Sequence, residues 1–226
     1  MPRTSLQAIV VSLVLLLTGC TLNAPPMYER NAGEFLQAQG VEAALIEKLT
    51  NHEILTGAEV AQLQGYDNVA VQHLLGVNLS TPPELLTALA NHPDFEVRTG
   101  VAANPKTPMA ALLSLRVPGR YETVNSALSS NPMLPQKLLR EMYNTGEAGV
   151  YGLASNPNLP EDLMRAIDKR GDWLAQSTLA SNPHLPRDLL DKYLASDTPA
   201  VRGSARGNAQ FDPRYKRPQD DMLGGP

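Results

Sequence analysis

VRTGVAANPKTPMAALLSL, residues 97–115, contains the turn that organises the chain: Asn104 and Pro105, then Thr107 and Pro108. The pattern returns as VNSALSSNPMLPQKLLREM from Val124, GVYGLASNPNLPEDLMRAI from Gly149 and AQSTLASNPHLPRDLLDKYL from Ala175. Working outward, asparagine stands at Asn78, Asn104, Asn131, Asn156, Asn182 and Asn208, with spacings of 26, 27, 25, 26 and 26 residues. Self-similarity at this period marks stacked supersecondary units, none of which can bury its apolar face alone.

Each unit reads as two short helices. In the first, an apolar residue lies three positions before the asparagine (Leu75, Val101, Leu128, Leu153, Leu179), beside small residues that let neighbouring backbones approach. A residue before proline is pushed out of the α region, so Asn104, Asn131, Asn156 and Asn182 are expected to end that helix in a structural turn. A second proline follows at Pro82, Pro108, Pro135, Pro160 and Pro186, where a missing N–H suits the first position of a new helix. Thr81 and Thr107 are then the expected N-caps, replaced in later units by Leu134, Leu159 and Leu185, which exchange capping for burial. Apolar pairs such as Leu112 with Leu113 and Leu189 with Leu190 supply the core.

Ahead of the array, Val41, Ala44, Leu45 and Leu49 fall at helical spacing, and Thr56 with Glu59 forms a capping box. Asn51 lies 27 residues before Asn78. The expected fold is all-α, a right-handed α-solenoid whose units of about 26 residues pair two short helices. Residues 33–65 form an N-terminal helical cap or degenerate repeat, 66–210 the array, and 211–226 a disordered tail.

The stretch from Val97 to Leu113, V-R-x-x-V-A-x-N-P-x-T-P-x-x-x-L-L, resembles the leucine-rich repeat variant family. That resemblance covers the array and implies an α-helix and a shorter, often 3₁₀, helix stacked into a superhelix. The units here run slightly longer, later copies carry leucine for threonine before the second proline, and no cysteine cluster precedes the repeats.

The first twenty residues, MPRTSLQAIVVSLVLLLTGC, place Arg3 before an apolar run from Ala8 to Leu17 that is too short to span a bilayer. Leu17-Thr18-Gly19-Cys20 resembles the lipobox of bacterial lipoprotein precursors, and Cys20 is the only cysteine. The resemblance implies that residues 1–19 are a signal peptide, that Cys20 is acylated with palmitate-type chains, and that residues 20–32 tether the fold to a membrane. Thr21 is not the aspartate associated with inner-membrane retention, so an outer membrane facing the periplasm is the expected location.

The chain carries 19 basic and 23 acidic side chains; loss of Arg3 with the leader leaves 18 and 23, a net of −5, which disfavours nucleic acid as a partner. His52-Glu53 opens like a zinc-protease motif without its second histidine, and His73, His92 and His184 stand apart. No catalytic residue, metal ligand or cofactor is assigned. The position six before each asparagine is mostly polar, and Arg98, Asn125, Gln176 and Arg202 there are the expected binding face. A non-enzymatic scaffold binding an envelope protein is the leading expectation. A module for an anionic envelope polymer, peptidoglycan or lipopolysaccharide, is the alternative, drawing on the basic C-terminal residues Arg202, Arg206, Arg214, Lys216 and Arg217.

Overall fold

The computed structural model describes residues 27–118 and 123–211, the last three by backbone alone. The leader, Cys20 and most of the expected tether lie outside the described residues, as do residues 212–226. The protein is all-α: fourteen α-helices, with no strand among the described residues. They are α1 (Met27–Ala38), α2 (Ala43–Thr50), α3 (Gly57–Gln64), α4 (Val69–Val77), α5 (Pro83–Leu89), α6 (Phe95–Ala103), α7 (Met109–Leu115), α8 (Thr123–Ser130), α9 (Gln136–Asn144), α10 (Val150–Ser155), α11 (Glu161–Lys169), α12 (Trp173–Ala180), α13 (Arg187–Leu194) and α14 (Pro199–Phe211). Both halves of each unit are α-helical, and the described residues contain no 3₁₀ helix.

The even-numbered helices from α4 to α14 pack each on the next and form a spine. Close approach needs small residues there. A Cβ on Gly100 would sit 2.8 Å from the His73 carbonyl, and one on Gly152 would collide with the carbonyl of Ser126. The apolar residues three before each asparagine fill the spine interior; Leu75, Val101, Leu128, Leu153 and Leu179 are all at most 1% exposed. Each such leucine contributes roughly 1.5–3 kcal/mol by leaving water. The odd-numbered helices from α5 to α13 pack on the spine and bury Leu86, Leu112, Leu139, Met164 and Leu190.

Proline starts these second helices, but one position earlier than the sequence pattern suggested. Pro82, Pro108, Pro135, Pro160 and Pro186 are themselves the N-cap residues, and their carbonyls accept the first helical hydrogen bonds. Thr81 and Thr107 are therefore not N-caps. They are buried, and their hydroxyls donate back to the carbonyls of Leu75 and Val101, at 2.6 and 2.7 Å. The threonine thus bridges the two halves of its unit, and Leu134, Leu159 and Leu185 replace that bridge with apolar burial.

The two ends depart from the repeat. At the N-terminus α1 begins at Met27, so residues 27–32 are helical where a tether was expected, and α1 packs on α2 and α4 through Ala32 and Leu36. The Thr56–Glu59 capping box is formed in both directions. At the C-terminus Ala209 replaces proline, nothing breaks the backbone, and α14 runs through Asn208 to Phe211. Phe211, expected to open the tail, is helical. The position two before each asparagine is small in the inner units (Gly76, Ala102, Ser129, Ala154, Ala180) and becomes the exposed Arg206 in the last.

Candidate functional site

The asparagines form a continuous ladder. Asn104 Nδ2 donates to the carbonyls of Gly76 and Asn78, at 2.8 and 3.0 Å. Asn131 repeats this on Ala102 and Asn104, Asn156 on Ser129 and Asn131, and Asn182 on Ala154 and Asn156. In each, Oδ1 accepts from the N–H two residues on, at 2.7–2.9 Å: Lys106, Met133, Asn158 and His184 in turn. The backbone of Asn104 and Asn156 is extended, with ψ near 120°, which turns each carbonyl toward the following unit. All four are at most 2% exposed.

The ladder changes at both ends. Asn78 finds only the Glu53 carbonyl on its N-terminal side, because the exposed Asn51 does not occupy the equivalent place. Asn208 donates to Ala180 and Asn182 from within helix α14.

The row expected to be a binding face is engaged at home. Arg98 donates through one Nη to the carbonyls of His92 and Pro93, both at 2.7 Å. Gln176 donates to the Asp168 carbonyl at 3.2 Å, and Arg202 to that of Ser196. Asn125 is fully buried, and its amide pairs with both the N–H and the carbonyl of Val117. Arg98, Asn125 and Arg202 clasp the loop that leads into their own helix, and Gln176 holds the last turn of the helix before it. The row expected only to bind thus carries a local structural task, and Asn125 is buried away from the surface where a partner was expected.

Among the described residues, buried carboxylates stand in three places. Glu147, 2% exposed, receives Arg116 Nε at 2.7 Å and Nη2 at 3.0 Å, and those bonds hold the Arg116 guanidinium well above its usual range. Asp168 accepts from Lys192 Nζ and from the buried Tyr193 hydroxyl, whose ionisation burial and this carboxylate oppose. At the N-terminal end, Glu29 on α1 takes His52 Nε2 on Oε1 at 3.0 Å, while its buried Oε2 has no hydrogen-bond partner among the described residues. His52 adopts a positive φ of 55°, a conformation uncommon outside glycine but one that histidine, like asparagine and aspartate, visits more often than most. Tyr28 stacks on His73 with centroids 4.3 Å apart, and His73 Nδ1 meets the Glu96 carbonyl at 2.7 Å.

Burial is the largest influence on Glu29 and opposes its ionisation, but the His52 hydrogen bond and further favourable contacts outweigh it, leaving the pKa below the usual carboxylate value. Burial lowers that of His73, so the ring favours its neutral form. No group of three potential ligands stands close enough to hold a metal among the described residues. No helix among them is long and apolar enough to cross a membrane.

Sequence reasoning located the asparagines and missed the clasp and the Glu29 cluster. The clasp joins residues six or eight apart across a loop, and the cluster joins α1 to positions 23 residues later. The chain matches no known family model, no curated protein and no solved structure.

Proposed function

We propose that this chain is a lipid-anchored α-solenoid that serves as a non-enzymatic interaction scaffold in a bacterial cell envelope. The observation that carries this reading is the asparagine ladder, which ties every unit to the backbone of the one before through a buried side chain. A spine of like helices joined in that way favours a right-handed superhelix of leucine-rich repeat variant type, an architecture that presents an extended face to a partner. The ends support a finished array: α1 covers the first unit, and Arg206 sets a charge where inner units need a small residue.

The buried polar side chains are chiefly engaged with backbone or with one another, which suits a rigid support. The anchor rests on the lipobox resemblance at Cys20, with an outer membrane facing the periplasm as the proposed site and another envelope protein as the partner. Replacing Cys20 by serine is expected to give an unprocessed chain that takes up no labelled palmitate; label on that variant would remove the anchor. Capture from detergent-solubilised envelopes, set beside sedimentation on purified cell wall, tests the partner. Co-sedimentation with wall and no protein capture would replace the scaffold by polymer binding.

A further inference from the structure

Large apolar side chains stand exposed near the start of several spine helices: Val69, Phe95, Tyr151, Trp173 and Leu174. Their surroundings separate them. Phe95 sits between Asp94 and Glu96, and Val69 follows Asp67 and Asn68, so a polar or acidic setting surrounds each. Trp173 and Leu174, 53% and 43% exposed, instead follow Lys169 and Arg170. Both cations are exposed, and neither makes an ion pair among the described residues.

The acid of this loop, Asp172, is part-exposed, and its pKa is held below the usual carboxylate value by the Tyr151 hydroxyl first and also by Arg170. Asp172 Oδ1 accepts the Leu174 N–H at 3.0 Å, and Oδ2 accepts the Tyr151 hydroxyl at 2.8 Å. Gly171 bends the chain with φ 71°, and open space surrounds the place of its missing Cβ, so the loop stands clear of the fold. Tyr151, 39% exposed, is held beside it by that hydroxyl bond. One corner of the array thus combines tryptophan, leucine and tyrosine with two exposed cations, of which Arg170 also attracts the Asp172 carboxylate.

We infer that the loop Lys169–Leu174 is a bilayer contact: Trp173 and Leu174 enter the interface of an anionic membrane while Lys169 and Arg170 meet its head groups. Tryptophan and tyrosine favour the interfacial layer, and cations near an anionic surface each add a modest attraction that salt screens. Such a patch is weak alone and effective on a tethered protein, because the anchor raises its local concentration. The inference therefore rests on the anchoring proposed above.

Trp173 is the chain's single tryptophan, so its emission reads this corner alone. The full acylated chain would be reconstituted in phosphatidylglycerol or phosphatidylcholine vesicles, with and without brominated acyl chains. In phosphatidylglycerol the emission is expected to shift to the blue and to be quenched by bromine. The quenching should fall at about 0.5 M salt, where screening acts within roughly 4 Å. The pair Lys169→Glu and Arg170→Glu, with helicity checked by circular dichroism, is expected to reduce it about tenfold. Protein that floats with the vesicles yet keeps unshifted, unquenched emission overturns the loop and leaves the anchor standing; such a corner would then be free for a protein partner, where tryptophan and arginine are also favoured. Quenching undiminished by charge reversal overturns it as well. Protein that does not float at all removes anchor and loop together.

Discussion

The side-chain amide of Asn131 donates to the backbone carbonyl of Asn104 at 2.9 Å, and that carbonyl belongs to the corresponding asparagine one unit earlier. The same residue type therefore terminates a helix and joins units. Its amide acts across the interface while its own carbonyl receives the next amide, from Asn156 at 2.8 Å.

Asn156→Ala strips two buried carbonyls of a donor and the Asn158 N–H of its acceptor. The expected loss is about 3 kcal/mol, at the upper end for buried groups left unsatisfied. Asn156→Asp keeps the acceptor but sets an anion against the carbonyls, and should be at least as destabilising. Urea denaturation of both variants checks the order; a neutral Asp variant would show that the amide protons contribute nothing. Asn208→Ala, at the part-buried end of the ladder, should cost less.

Arg116→Ala takes a two-point donor away from the buried Glu147 carboxylate. Breaking a buried pair from one side costs up to about 3–5 kcal/mol, whereas Arg165→Ala removes only exposed pairs with Glu161 and Asp188 and should cost far less. Comparing their unfolding midpoints tests whether burial, rather than the number of ion pairs, decides.

Acidification should loosen the N-terminal end in two steps. The His73 pKa is lowered by burial, so the unfolded chain takes up the proton first, and stability falls as pH drops below 6.5 toward the folded value. Glu29 is also lowered, so its contribution is complete above 4.5 and is lost as pH falls through its folded value. His73→Phe keeps a ring beneath Tyr28 while removing the first step. Melting curves from pH 7.5 to 5 should slope less in that variant; parallel slopes would exclude His73 as the cause.

Two glycines should respond in opposite senses to alanine. Gly152→Ala forces a methyl into the Ser126 carbonyl and should destabilise by about 2 kcal/mol through overpacking. Gly207→Ala meets nothing within 4 Å inside helix α14 and should stabilise by up to about 1 kcal/mol. Equal effects would mean that the spine is looser than the Gly152 contact requires.

Arg98→Glu together with Arg202→Glu removes donors to the loop carbonyls of His92, Pro93 and Ser196. A loss of about 1–2 kcal/mol is expected, because half-buried hydrogen bonds contribute near 1 kcal/mol each. An unchanged melting temperature would return these arginines to the free surface.

The sequence by itself determined what depends on local rules. The period of the asparagines, the backbone conformation required before proline, the Thr56–Glu59 box and the all-helical class follow from φ/ψ preferences and apolar spacing within a few residues. Only the tertiary structure decided where those asparagines point, since their acceptors lie 25 to 29 residues away in chain order. It also turned Thr81 and Thr107 from caps into bridges, closed Arg98 and Asn125 onto loops, and extended α1 back to Met27. A polar side chain takes whichever unsatisfied backbone group packing brings within reach. That choice is made by neighbours in space, and residue order alone does not contain it.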